Sequence, residues 1–163
     1  MRGLFYYKLI DINDFGQLII VCDEEALVSV DFFEEDIKSF QPLKWEPEHP
    51  ICLLVEKQLL EYFNNERITF DLPIRVQGTE FQRQVWDALK NIPYGTLQSY
   101  KDVAVAINNP KAVRAVGQAN RRNPIPIIVP CHRVIGHNKK LVGYAGNNVH
   151  LKERLLEIEG IQL

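Results

Sequence analysis

An α+β fold in two modules is what this sequence predicts, and three observations predict it. Short runs of aromatic and β-branched residues fill the first 33 positions. Helical periodicity with side-chain caps takes over from about residue 78 to residue 160. The charge divides at the same place: residues 1–75 hold seven Lys and Arg against fifteen Asp and Glu, a net −8, whereas residues 76–163 hold twelve against six, a net +6. The expected boundaries are an N-terminal α/β domain over 1–75 and a C-terminal helical domain over 76–163. A basic module beside an acidic one points the second toward a polyanion. Hydrophobic residues make up 46% of the 163, an ordinary globular content. No apolar run approaches the ~20 residues of a membrane helix, and residues 1–8 lack the pattern of a signal peptide. Three widely spaced cysteines give no disulfide framework. These features predict a cytoplasmic protein with no membrane association.

In the first module, residues 4–10 suit a strand and Asp11–Gly16 carries turn chemistry. Gln17–Cys22 and Ala26–Phe33 read as two further strands of an antiparallel meander. Residues 34–49 are acidic, proline-containing and irregular. From Pro50 to Asn64, Ile51, Leu54, Val55, Leu59, Tyr62 and Phe63 fall near helical spacing. Arg67–Ile74 reads as a short extended return. His49 and Cys52 are three apart and could form half of a metal site. Zinc needs about four ligands and no second pair follows in sequence, so no metal is assigned.

The second module opens at Gly78-Thr79. Thr79 with Gln82 three residues on forms a capping box, and Phe81, Val85, Trp86 and Leu89 make the apolar stripe of a helix. Ser99 and Asp102 repeat the cap for a helix over Tyr100–Ile107. Asn108-Asn109-Pro110 breaks it. A third helix is expected over Lys111–Asn120, started by Pro110. The last two helices match helix-turn-helix geometry. Ala112, Ala115 and Gly117 let the third helix backbone lie close to another surface, and Lys111, Arg114, Arg121 and Arg122 add positive charge suited to phosphates. Two apolar arms around the polar turn 136–140 read as a hairpin or wing. A final helix buries Leu151, Leu155, Leu156 and Ile158, and Gly160 ends it. Glu159 opposes the helix dipole there and wants a partner, solvent or an imidazole.

Between them stands Val129-Pro130-Cys131-His132-Arg133-Val134-Ile135, approached through Asn123-Pro124-Ile125-Pro126. Prolines stiffen this loop and present a thiol directly before a histidine. By itself a Cys-His pair is more often structural than reactive.

The run 129–135 resembles the active-site signature of the O6-alkylguanine-DNA alkyltransferases, also called methylated-DNA–protein-cysteine methyltransferases. The likeness extends in order and spacing over about residues 78–160, through Tyr94-Gly95, Ser99-Tyr100, Pro110–Gly117, Asn123-Pro124, Gly143-Tyr144 and Glu159-Gly160. The first half matches in general character only. There the resemblance implies a small ribonuclease H-like α/β domain, followed by a helical winged helix-turn-helix domain that carries the cysteine loop.

The resemblance also implies roles. Cys131 accepts an alkyl group as thiolate. His132 takes its proton through a water, and Glu159 orients His132. Tyr100 donates to guanine N3, and Asn123 braces the loop. The carbonyls of Cys131 and Val134 read the guanine amine, and the N–H of Ala145 faces O6. Pro126 and Tyr144 wall the base pocket. Arg114 fills the stack vacated by a flipped nucleotide, while the helix carrying Lys111, Ala112, Ala115, Gly117 and Arg121 enters the minor groove. Many relatives carry serine where Ala145 stands, which bears on bulky substrates. The implied partner is double-stranded DNA containing O6-alkylguanine or O4-alkylthymine, the implied cofactor none, and the protein a monomer, with cooperative binding along DNA left open. The thioether would make it a single-use reagent. Two alternatives are a lesion-binding protein without catalysis and an alkylation-sensing winged-helix regulator. Intact Cys131, His132 and Glu159 oppose the first, and the lack of base-reading side chains on the third helix opposes the second. A cysteine hydrolase is weaker still, since nothing identifiable supplies an oxyanion hole.

Overall fold

The computed structural model describes residues 4–12, 15–32, 43–136 and 149–162. They form two compact units, Met1–Val76 and Gln77–Leu163. Among the described residues no helix is long and apolar enough to cross a membrane.

The first unit is a four-stranded sheet with one helix. Strands β1 (Phe5–Ile12), β2 (Gly16–Cys22) and β3 (Leu27–Phe32) form the expected antiparallel meander. The run Leu18–Cys22 is buried throughout, as a central strand requires. A fourth strand, β4 (Leu43–Trp45), lies parallel to β1 at the sheet edge and gives the order β3-β2-β1-β4. It falls in the stretch read as irregular. Three residues show no alternation, and only tertiary pairing defines them as strand.

Helix α1 (Pro50–Phe63) has the predicted span to within a residue, with proline in its first turn and His49 as N-cap. Cys52, Val55, Leu59 and Tyr62 are buried, but Leu54, expected on the same face, is 37% exposed. The expected extended return over Arg67–Ile74 forms no ladder. Only Ile74 bridges Leu27, and buried Gln58 pins the segment by bonding both the N–H and the carbonyl of Asp71.

The second unit is mostly helical. Helix α2 (Glu80–Lys90) carries the predicted Thr79–Gln82 capping box, and α3 (Tyr100–Ala106) the Ser99–Asp102 box. Asn108 takes a left-handed φ of 60° and turns the chain into α4 (Val113–Arg121). The third helix therefore starts two residues later than expected. Pro110 and Lys111 belong to the turn, which Ala112 N–H closes onto the Asn109 carbonyl. Trp86 Nε1 donates to the Ala119 carbonyl at 2.8 Å and ties α2 to α4. Val116 is fully buried, whereas Val113 and Ile107 are half-buried.

A two-residue parallel ladder joins β5 (Gln98–Ser99) to β6 (Val134–Ile135). This ladder sets the start of α3 beside the cysteine loop. Helix α5 (Val149–Ile158) buries Leu151, Leu155 and Leu156. Ile158 is only half-buried, and Lys152 lies inside in its place. The wing expected after residue 136 lies outside the described residues.

Gly78 sits against the Trp86 ring, where a Cβ would come within 2.6 Å of ring carbon. Gly78→Ala is expected to destabilise the second unit by about 1–3 kcal/mol through forced repacking of the indole. Urea unfolding followed by tryptophan fluorescence measures it, and an unchanged midpoint would contradict the packing described.

Candidate active site

The loop before Cys131 is shaped residue by residue. Asn123 accepts the Ile125 N–H at 3.0 Å and donates Nδ2 to the Val129 carbonyl at 2.7 Å. Pro126, buried, bridges Val129. Ile127 between them is 1% exposed and holds φ at +75°, a strained conformation for a β-branched residue. Pro130, at φ −81° and ψ 66°, forms an inverse γ-turn, closed by the Cys131 N–H on the Val129 carbonyl at 2.8 Å. A single turn of 3-10 helix (Cys131–Arg133) follows.

That turn sends three side chains to different tasks. His132 and Arg133 converge on Glu159, just beyond α5. His132 Nε2 meets Oε2 at 2.6 Å. Arg133 is bidentate, with Nε to Oε1 at 2.8 Å and Nη2 to Oε2 at 3.1 Å, and its Nη1 donates to the Ile92 carbonyl at 2.7 Å. The Gly95 N–H adds a fourth donor to the carboxylate at 3.1 Å. The Tyr94 hydroxyl donates to the Ile158 carbonyl at 3.1 Å. All three charged or ionisable residues are buried. Four donors match the four lone-pair positions of a carboxylate, which makes so dry a network tolerable.

Burial lowers the His132 pKa below its ordinary 6.5, and the Glu159 carboxylate only partly opposes this. The ring is therefore neutral near pH 7. It donates Nε2–H to Glu159 and carries its lone pair on Nδ1.

Cys131 is buried, and desolvation pushes its thiol up to about 11, with Asn123 and the Lys152 cation working in the other direction. Lys152 is fully enclosed, its ammonium 5.8 Å from the centroid of the Tyr100 ring. Its pKa falls to about 8 through burial, against the opposing pull of Cys131. Tyr100 is raised by burial and then by Cys131, while Arg121 and Asn120 lower it. Tyr100, Cys131 and Lys152 thus form one electrostatic cluster. Asn120 donates to the Cys131 carbonyl at 3.3 Å, and the Val134 N–H reaches the same oxygen. That carbonyl, expected to read a guanine amine, already accepts two bonds.

Of the residues singled out from sequence, Cys131, His132, Glu159, Tyr100, Asn123, Pro126 and Val134 assemble around this loop. Lys111, Arg114, Ala115 and Arg121 lie exposed on or just before α4, with Ala112 and Gly117 half-buried. A Cβ on Gly117 would meet nothing within 4 Å, so the helix is open there. Tyr144 and Ala145 lie outside the described residues. Sequence reasoning missed Arg133, Asn120 and Lys152. For Lys152 a signal existed: it shares a helical face with Leu156 and Glu159, at spacings of four and seven.

Two family models match the chain. The ribonuclease-like domain of 6-O-methylguanine DNA methyltransferase covers residues 5–76, and the DNA binding domain of 6-O-methylguanine DNA methyltransferase covers 80–161. A Bacillus subtilis protein named methylated-DNA–protein-cysteine methyltransferase, constitutive, is 49% identical over 90% of each chain. One from Methanosarcina acetivorans, named methylated-DNA–protein-cysteine methyltransferase, is 46% identical over 95% of this chain and 98% of its own. The crystal structure of Mycobacterium tuberculosis OGT in complex with DNA superposes with a TM-score of 0.86, at 40% identity over 94% of this chain and 92% of that one. A methyltransferase carried on a DNA-binding helical domain is the class these matches and this fold define. The chain belongs to the 6-O-methylguanine DNA methyltransferase family. Its place is in DNA repair by alkyl transfer.

Glu159→Gln removes the charge that two buried bases share and leaves the Arg133 guanidinium uncompensated. It is expected to cost about 3–5 kcal/mol of stability, read as a lowered midpoint in urea. A loss below about 1 kcal/mol would mean that the network is not closed as described.

Proposed function

We propose that the protein reverses O6-alkylguanine, and O4-alkylthymine, in double-stranded DNA by moving the alkyl group once onto Cys131. The observation that carries this reading is the 2.6 Å contact between Nε2 of His132, next in sequence to buried Cys131, and Glu159 Oε2; a neutral ring that donates Nε2–H there presents Nδ1 as the base for the thiol.

Cys131 gives its proton to His132 Nδ1 through a water. The sulfur attacks the alkyl carbon, the S–C bond forms and the C–O6 bond breaks. Tyr100 donates toward N3 as negative charge moves onto the departing base, and guanine regains one proton, so the proton count balances. Lys152 favours the thiolate while attack occurs. Among the described residues no group is placed to cleave the thioether, so each chain acts once.

The base must leave the duplex to reach a loop-mounted thiol. Exposed Arg114 on α4 takes the vacated place, with Lys111 and Arg121 on phosphates and the small residues Ala112, Ala115 and Gly117 allowing close approach in the minor groove. Pro126 and Val134 wall the base pocket. The protein acts as a monomer.

Incubation with duplex DNA containing O6-methylguanine is expected to add one methyl group per chain. Intact mass and peptide mapping locate it on Cys131, and Cys131→Ala gains nothing. Folded protein that binds the duplex yet gains no mass would sink the proposal and favour lesion binding without catalysis.

The pH dependence follows from the two shifted bases. His132 protonates only below its ordinary range, so single-turnover transfer stays level down past pH 6.5 before it falls. Above about pH 8 Lys152 loses the cation that favours thiolate, and the rate declines. Lys152→Met is expected to be about tenfold slower at pH 7.5, equivalent to one pKa unit at the thiol, and to lack the alkaline decline. An unchanged profile would remove Lys152 from the chemistry.

A further inference from the structure

The sequence left His49 and Cys52 as half of a metal site without a partner. The fold supplies one. Cys22, the last residue of β2, is buried beside the start of α1. Its Sγ lies 3.1 Å from Cys52 Sγ and 3.6 Å from His49 Nδ1, and the three ligand atoms fall within 4.8 Å of one another. These cysteines lie in the first unit, and neither belongs to the chemistry proposed for Cys131.

We infer that Cys22, His49 and Cys52 bind one zinc ion, or another thiophilic divalent cation, as a three-ligand site that fastens the end of β2 to the first turn of α1. Zn–S bonds of about 2.3 Å and a Zn–N bond of about 2.0 Å, set tetrahedrally, separate sulfur from nitrogen by about 3.5 Å and the two sulfurs by about 3.8 Å. The Cys22–His49 spacing of 3.6 Å is close to that value. The sulfurs, 3.1 Å apart, must part by about 0.7 Å, and Cys52 Sγ and His49 Nδ1, within 4.8 Å of each other, must settle at about 3.5 Å, through side-chain rotations.

The imidazole is held in place. Tyr6 stacks on it with centroids 4.6 Å apart and an interplanar angle of 26°. His49 Nδ1 also accepts the Ile51 N–H at 3.2 Å, so metal binding exchanges a weak cap for a coordinate bond. His49 is half-buried while both cysteines are enclosed, so access is from the histidine side. The fourth position takes water there. Two thiols become thiolates on binding, and two protons leave for each ion. The donor set of two sulfurs and one imidazole selects a soft or borderline metal over magnesium or calcium.

The test uses the full chain, reduced and stripped with chelator, and titrated with Co2+. One equivalent is expected to give sulfur-to-cobalt charge-transfer absorption and the visible bands of a tetrahedral site. Zinc should displace it and raise the melting temperature of the chain. Cys131→Ser should keep the signal and Cys22→Ser should lose it. Should Cys22→Ser fold poorly, His49→Ala keeps both thiols and is expected to bind at least tenfold more weakly. Folded, reduced wild type without a charge-transfer band overturns the inference. So does a signal that disappears in Cys131→Ser, or a chain isolated two hydrogens lighter with Cys22 and Cys52 joined, which would make the pair a redox couple.

Discussion

One carboxylate organises the second unit. Glu159 accepts from His132, from two nitrogens of Arg133 and from the Gly95 N–H, and none of the three ionisable groups is exposed. Burying three such groups is costly in isolation. Each is tolerable because the others are present. The same contacts fix which imidazole nitrogen holds the proton. The chemistry of the cysteine loop is thus set from the far side of the histidine, by a residue 27 positions along the chain.

The thiol has the opposite environment. Burial holds it protonated at rest. Burial also protects it. An enclosed thiol is a poor target for stray oxidants and electrophiles. Lys152 is the counterweight, a buried cation close enough to bias Cys131 and itself weakened by burial. Both shifts come from burial and both favour the neutral forms, so the thiol ionises when a base takes its proton.

Much of the fold was legible because local chemistry and tertiary structure agree. Both capping boxes, the three meander strands and the α1 span follow from residue type and spacing. Two of the failures share one cause, which is that nonlocal contacts decided, and the third is a local turn. β4 is a strand only because β1 is beside it. The 67–74 segment lies where Gln58 holds it rather than in a ladder. α4 starts late because the Asn108 turn consumes two residues. In the site, Cys131, His132 and Glu159 could be read as a set through family likeness. Arg133 could not, since the sequence of a charged residue does not say that it is buried, and Lys152 had only its helical register with Leu156 and Glu159 to mark it. Cys22 meets His49 and Cys52 only where the end of β2 packs on the start of α1.

Ile127 carries a consequence for variation at the loop. A buried β-branched side chain fills its space, while its backbone sits at φ +75°, a conformation that costs about 1–3 kcal/mol. Glycine or asparagine would suit that backbone and surrender apolar volume. Valine would keep most of the volume and all of the strain. The position is a local optimum from which no single replacement improves both terms. Stability gained elsewhere in the domain can therefore be spent here, whereas stability sought here would come from letting the cysteine loop change shape.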